Sequence, residues 1–176
     1  RLWNDDRGTI QRLHQGSVLH AGDELFFEMD LSHQAYVYIL NQDSFGRQHL
    51  LFPVAGLEIT NPLPAGTDVR LPEESRDGWI VDTAGHQETI LIVASRKPVL
   101  FAEELIAGLE QPGNGKPITL HEEIATRLRG IGGLAAPNPK ATGGPGALES
   151  VRSSLTQREG ERDGIRVWEY TFRNPE

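Results

Sequence analysis

The stretch Gly22–Pro53, GDELFFEMDLSHQAYVYILNQDSFGRQHLLFP, decides the reading of the chain, because it breaks into three strands separated by turn residues. Leu25, Phe27, Met29 and Leu31 recur at every second position, with Glu24, Glu28 and Asp30 between them. That alternation belongs to a strand with one buried and one wet face, and only Phe26 departs from it. Ala35–Leu40 is apolar on both faces, Val37 and Ile39 opposing Tyr36, Tyr38 and Leu40, as an interior strand of a covered sheet requires. Asn41–Gly46 carries turn chemistry and Gln48–Phe52 returns.

Working outward toward the C-terminus, Pro53–Gly66 (PVAGLEITNPLPAG) holds too many prolines and glycines for regular pairing and reads as a surface loop. Asp68–Leu71 is a short strand. Trp79–Asp82 opens a hairpin around Thr83–Gly85, and its return, His86–Ser95, contains TILIVA at 89–94, a second strand apolar on both faces. From Pro98 the period changes. Phe101, Leu105 and Leu109 at four-residue spacing predict a helix over 98–110, and the capping pattern Thr119–Glu122 predicts another over 119–129. Residues 131–146 are rich in glycine, proline and alanine and read as a flexible loop, followed by a short helical stripe at Leu148, Val151 and Leu155. Gly164–Arg173 is a closing strand whose aromatic face, Trp168, Tyr170 and Phe172, calls for a sheet to cover and a return to the early hairpins. Upstream, Arg1–Gln15 is polar with Leu2, Trp3, Ile10 and Leu13 as anchors, and Ser17–Leu19 suits a short strand. The expected fold is therefore mainly β: an Ig-like antiparallel β-sandwich spanning residues 1–176 as a single domain, with two or three short helices after the core strands.

Composition narrows the function classes. A net charge of −8 argues against duplex nucleic acid or anionic lipid as the main partner. The absence of cysteine removes disulfides, thiolate metal sites and cysteine nucleophiles. No apolar run approaches the roughly twenty residues of a membrane helix, so direct membrane insertion is not expected. A start at Arg1 suggests an excised or processed piece. The compartment stays open on composition, an extracytoplasmic place in the periplasm or envelope being taken ahead of the cytoplasm.

The central residues resemble a bacterial family, the domain-of-unknown-function family 4384. The features that carry the resemblance are Gly22-Asp23, the strand Leu25–Met29, the aromatic strand Tyr36–Leu40, Leu51-Phe52-Pro53, the loop Asn61–Gly66 and Val93–Pro98, together covering residues 17–98. The resemblance implies a mostly β domain, commonly appended to signalling proteins such as serine/threonine kinases or caspase-like peptidases, or found in envelope proteins. It carries no catalytic residues.

Catalytic readings are weak. Asp82, His86 and Ser95 invite a hydrolase triad, but the first two flank a turn and Ser95 lies most of a strand away, and no G-x-S-x-G elbow is present. Histidines 14, 20, 33, 49, 86 and 121 are scattered, and His121-Glu122-Glu123 lacks a second histidine for a helical zinc pair. The glycine runs at 130–133 and 143–146 lack the Gly-Lys-Ser/Thr end of a phosphate loop. Tyr36, Tyr38, Phe45, Trp79 and Trp168 suit either core packing or an aromatic cleft; Tyr38 and Trp168 are assigned to the core, while Phe45, in a turn, suits a local staple and an exposed contact equally. Leu57 and Ile59 sit in the proline-stiffened loop, where they either cap the core or form a preformed contact surface. The expectation is a non-enzymatic binding or regulatory module recognising a protein, peptide or small ligand through Leu57, Ile59 and Phe45, without a cofactor. A small hydrolase with an unrecognised site and a structural spacer are the alternatives.

Overall fold

The structure, a computed structural model, describes residues 1–6, 9–43, 45–73, 77–82, 87–120 and 164–175. Its strands are β1 (Leu2–Asp6), β2 (Thr9–Leu13), β3 (Glu24–Leu31), β4 (Tyr36–Gln42), β5 (Gln48–Phe52), β6 (Gly66–Leu71), β7 (Trp79–Ile80), β8 (Gln87–Ser95), β9 (Ile118–Leu120) and β10 (Arg166–Arg173), with one helix, α1 (Leu100–Ala107). They form two antiparallel sheets. The first runs β2-β1-β3-β6 with β7 also on β3, the second β10-β8-β4-β5-β9. Phe27 of β3 pairs with Leu2 on one side and Leu71 on the other, while Leu25 pairs with Trp79, so β6 and β7 share one edge of β3 end to end.

Periodicity explains the layers. Leu25 and Phe27 of the first sheet join Val37, Ile39, Ile90, Ile92 and Phe172 of the second in one buried core, so the sheets pack face to face. The opposite face of the second sheet, Tyr38, Leu40, Leu91 and Val93, packs on Val99, Ala102 and Leu105 of the helical segment and on Val54 and Leu120. This third layer is why β4 and β8 are apolar on both sides. Phe26, the residue that broke the alternation of β3, is buried on the outer face of the first sheet, with the Arg70 guanidinium 4.2 Å from its ring centroid and Trp3 stacked at 6.3 Å.

Several expectations need correction. The three central strands do not form successive hairpins: β4 pairs with β5, but β3 lies in the other sheet. The chain crosses between them because the apolar faces of β3 and β4 must oppose each other across the core. The N-terminal segment, read only as anchors, is a hairpin in which Leu2 pairs with Leu13, both buried, while Ile10 points to solvent. Two or three helices were expected after the core strands, but the described residues contain one, α1. The segment read as opening a second helix is β9, where Thr119 pairs with His49 and Leu120 with Gln48. Edge pairing and burial of Leu120 override the local capping signal there. The rest of that predicted helix, the 131–146 loop and the stripe at 148–155 lie outside the described residues. β10 pairs with β8 rather than with the early hairpins, though its other edge receives Gly16–Leu19 through Gly16 N→Thr171 O, Arg173 N→Ser17 O and Leu19 N→Arg173 O. Phe172 on β10 is fully buried, whereas Trp168, assigned to the core, is 41% exposed because it sits at the strand's outer end.

Candidate functional site

At the end of β5 the chain enters the proline-rich loop, and this loop forms one wall of a groove whose other wall is α1. The groove, about 350 Å³, is lined by Tyr36, Val54, Leu57, Ile59, Asn61, Glu103, Ile106 and Gln111, with Pro53, Ala55, Gly56 and Thr60. Its volume falls at the lower end of the range typical of ligand-binding clefts. Leu57 and Ile59 are half-buried: Leu57 packs against both core clusters and Ile59 against the one between the sheets. Each thus helps cap the core while lining the groove.

The walls are fixed by specific contacts. Ala55 N donates to Gln111 Oε1 at 2.7 Å and Gly115 N donates to Ala55 O at 2.9 Å, joining the loop to the segment after α1. Gly56 has φ +96° and lies directly against the backbone of Gly113 and Gly115, an approach only glycine permits. Val37 N donates to Asn61 Oδ1 at 2.9 Å, and Ala35 bridges Leu63, tying the far end of the loop to β4. On the helix side, Tyr38 Oη donates to Glu103 Oε1 at 2.5 Å and accepts from Val99 N at 3.1 Å. Burial, reinforced by the bond to Glu103, pushes the Tyr38 phenol well above its ordinary range, so it remains a donor at any physiological pH.

Two polar residues among those lining this groove stand out. Among the described residues Glu103 is the one charged residue lining it, and only its Oε1 is engaged by them. Asn61, oriented by its bond from Val37, leaves Nδ2 enclosed without a hydrogen-bond acceptor among the described residues.

A second cavity, about 80 Å³, lies at the opposite end of β5, lined by Asn41, Asp43, His49, Trp79, Asp82 and Glu88 among others. Most of its polar groups serve the fold. Asp43 accepts from Phe45 N, Arg47 N and Arg47 Nε, closing the turn, and Glu88 accepts from Asn41 and Asn174. Burial lowers the His49 pKa, with Asp43 opposing in part. Phe45 projects at 70% exposure with Arg47 over its ring from the turn that precedes β5, whereas Leu57 and Ile59 lie in the loop that follows it. Asp82 is exposed, Ser95 is buried with its Oγ accepting from Lys97 N, and His86 lies outside the described residues, as does His121. Among the described residues no three His, Cys, Asp or Glu side chains are grouped to hold a metal ion, and no helix is long and apolar enough to cross a membrane.

The sheets and groove define a β domain with a lateral cleft and no recognisable catalytic constellation among the described residues. Residues 18–98 match a family model described as a domain of unknown function (DUF4384), which supports the resemblance read from the sequence. Searches of curated proteins and of solved structures found no match. Sequence reasoning singled out Leu57 and Ile59 but missed Asn61, Glu103, Ile106 and Gln111, for which the only local hint was an Asn–Pro step in the loop.

Proposed function

We propose that this chain is a non-enzymatic binding or regulatory module of a larger signalling or cell-envelope protein, and that the groove between the 53–61 loop and α1 receives a segment of a partner protein. The observation that carries this reading is a preformed cleft: its walls are held together by Ala55–Gln111, Ala55–Gly115 and Tyr38–Glu103 bonds, which reduces the ordering cost of binding. We read the packed sheets as an immunoglobulin-like sandwich. Supporting this, the chain crosses from β3 to β4, returns from β5 to β6 and crosses again to β8, and β10, β8, β4 and β5 adjoin in that order.

The test is selection from a displayed random-peptide library, followed by affinity measurement on synthetic hits. Thr60→Trp, an exposed groove position, and Ile106→Asp are expected to weaken the hits at least about tenfold, and Leu100→Ser, on an exposed part of α1, to leave them unchanged. Melting temperatures establish that the variants fold. Hits indifferent to Thr60→Trp, or no hits, would refute the groove as a peptide site.

A further inference from the structure

We infer that the groove selects a partner segment carrying one basic side chain, lysine or arginine, among apolar residues, with Glu103 as the residue that reads it. This rests on the peptide-binding reading above and adds its chemistry.

Tyr36, Val54, Leu57, Ile59 and Ile106 supply the groove's apolar surface, and Glu103 supplies the one charge among the described residues that line it. Its carboxylate is held in place rather than swinging on a free side chain, because Tyr38, itself buried, donates to Oε1. Oε2 has no partner among the described residues and Glu103 is half-buried at the groove wall. An apolar cleft with one fixed, half-open carboxylate complements a cation on an apolar stem, and both lysine and arginine present their charge in that form. The net charge of −8 adds an attractive field of the same sign. Asn61, in the wall of the same groove, adds a separate requirement for an acceptor: its Nδ2 is enclosed with no partner among the described residues, and a bound segment satisfies it once the loop end shifts enough to expose it. A backbone carbonyl of an extended segment meets that requirement, and a simple alkylammonium does not.

The experiment uses the full chain and three probes made from one selected hit: the hit itself, the hit with its basic residue replaced by citrulline or norleucine, and n-butylammonium. Glu103→Gln keeps an acceptor for the Tyr38 hydroxyl while removing the charge. We expect groove-dependent hits to be enriched in one Lys or Arg at a fixed position. Neutralising that residue should weaken binding about tenfold or more, and Glu103→Gln should weaken the cationic peptide by a similar factor while leaving the neutral peptide unchanged. The cationic peptide's affinity should fall with salt on the wild type and much less on Glu103→Gln. Butylammonium should bind far more weakly than any peptide. If hits require the groove, by loss with Thr60→Trp, yet carry no basic residue or ignore Glu103→Gln, the charge-reading inference is overturned while the groove stands. If no hit depends on Thr60→Trp, both readings fall.

Discussion

The contact between Gly56 and the segment after α1 can be tested by adding a single methyl group. Gly56 has φ +96°, and an alanine Cβ there would lie 2.6 Å from Gly115 N and closer still to the Gly113 carbonyl, backbone atoms that cannot swing aside. The left-handed backbone alone costs an L-residue about 1–2 kcal/mol. To relieve the overlap, the loop must part from residues 113–115, which breaks Ala55 N→Gln111 Oε1 and Gly115 N→Ala55 O, each contributing about 0.5–1.5 kcal/mol. Gly56→Ala should therefore destabilise by about 2–5 kcal/mol. Gly113→Ala is the matched control: φ is +69° and nothing lies within 4 Å of where its methyl group would sit, so it carries the backbone strain of about 1–2 kcal/mol alone. Urea titrations followed by tryptophan fluorescence and circular dichroism measure both. If the two variants agree within about 0.5 kcal/mol, the close approach is not what joins the groove walls.

In the sheet core, Ile92→Ala should cost about 2–5 kcal/mol by denaturant titration, and a loss below about 0.5 kcal/mol would refute the face-to-face packing there. Burial holds His49 neutral below its ordinary pKa, so the unfolded chain binds this proton first as pH falls. The His49 contribution is fully present above the unfolded value of about 6.5 and is lost as pH drops below it; His49→Gln should lessen the loss of stability between pH 7 and 5, and an NMR midpoint for His49 at or above 6.5 would contradict the burial. In hydrogen exchange, amides of α1 and its C-cap such as Glu103 and Gly108 should exchange before those of β4 and β8, because an eight-residue helix without a side-chain N-cap depends on its docking; equal protection would show that the helix opens only with the whole fold.

How legible each element was follows from how much of its pattern is set by its own burial. β4 and β8 are covered on both sides, so their uninterrupted apolar runs announced them, and β3 announced itself by an alternation broken only at Phe26. Phe26 looked anomalous because its cover, Arg70 and Trp3, comes from β6 and β1, far away in sequence. The N-terminal hairpin was illegible because β2 is an edge strand: of Thr9–Leu13, only Leu13 is buried, which leaves no period to read. β9 was misread because Thr119 and Glu122 satisfy a helix-capping pattern locally, while the pairing with His49 and Gln48 that decides its conformation comes from some seventy residues away.

The candidate site divides along the same line. The family-matched stretch, 18–98, supplies Tyr36, Leu57, Ile59 and Asn61, one wall and the floor, and these were partly visible as apolar residues in a proline-stiffened loop. It also leaves Tyr38, Leu40, Leu91 and Val93 facing outward, an apolar surface too large to remain wet beside the core, and α1 with Leu120 covers it. The cover thereby becomes the second wall. Glu103, Ile106 and Gln111 all lie beyond residue 98, and the bond that fixes Glu103 spans sixty-five positions to Tyr38, so no local pattern could assign it. The consequence is a division of labour: within the matched stretch lie the scaffold and the loop, whereas the one charged residue lining the groove among the described residues comes from α1. Under the proposed reading, a change of partner specificity would run through residues 100–111, leaving the core between the sheets undisturbed.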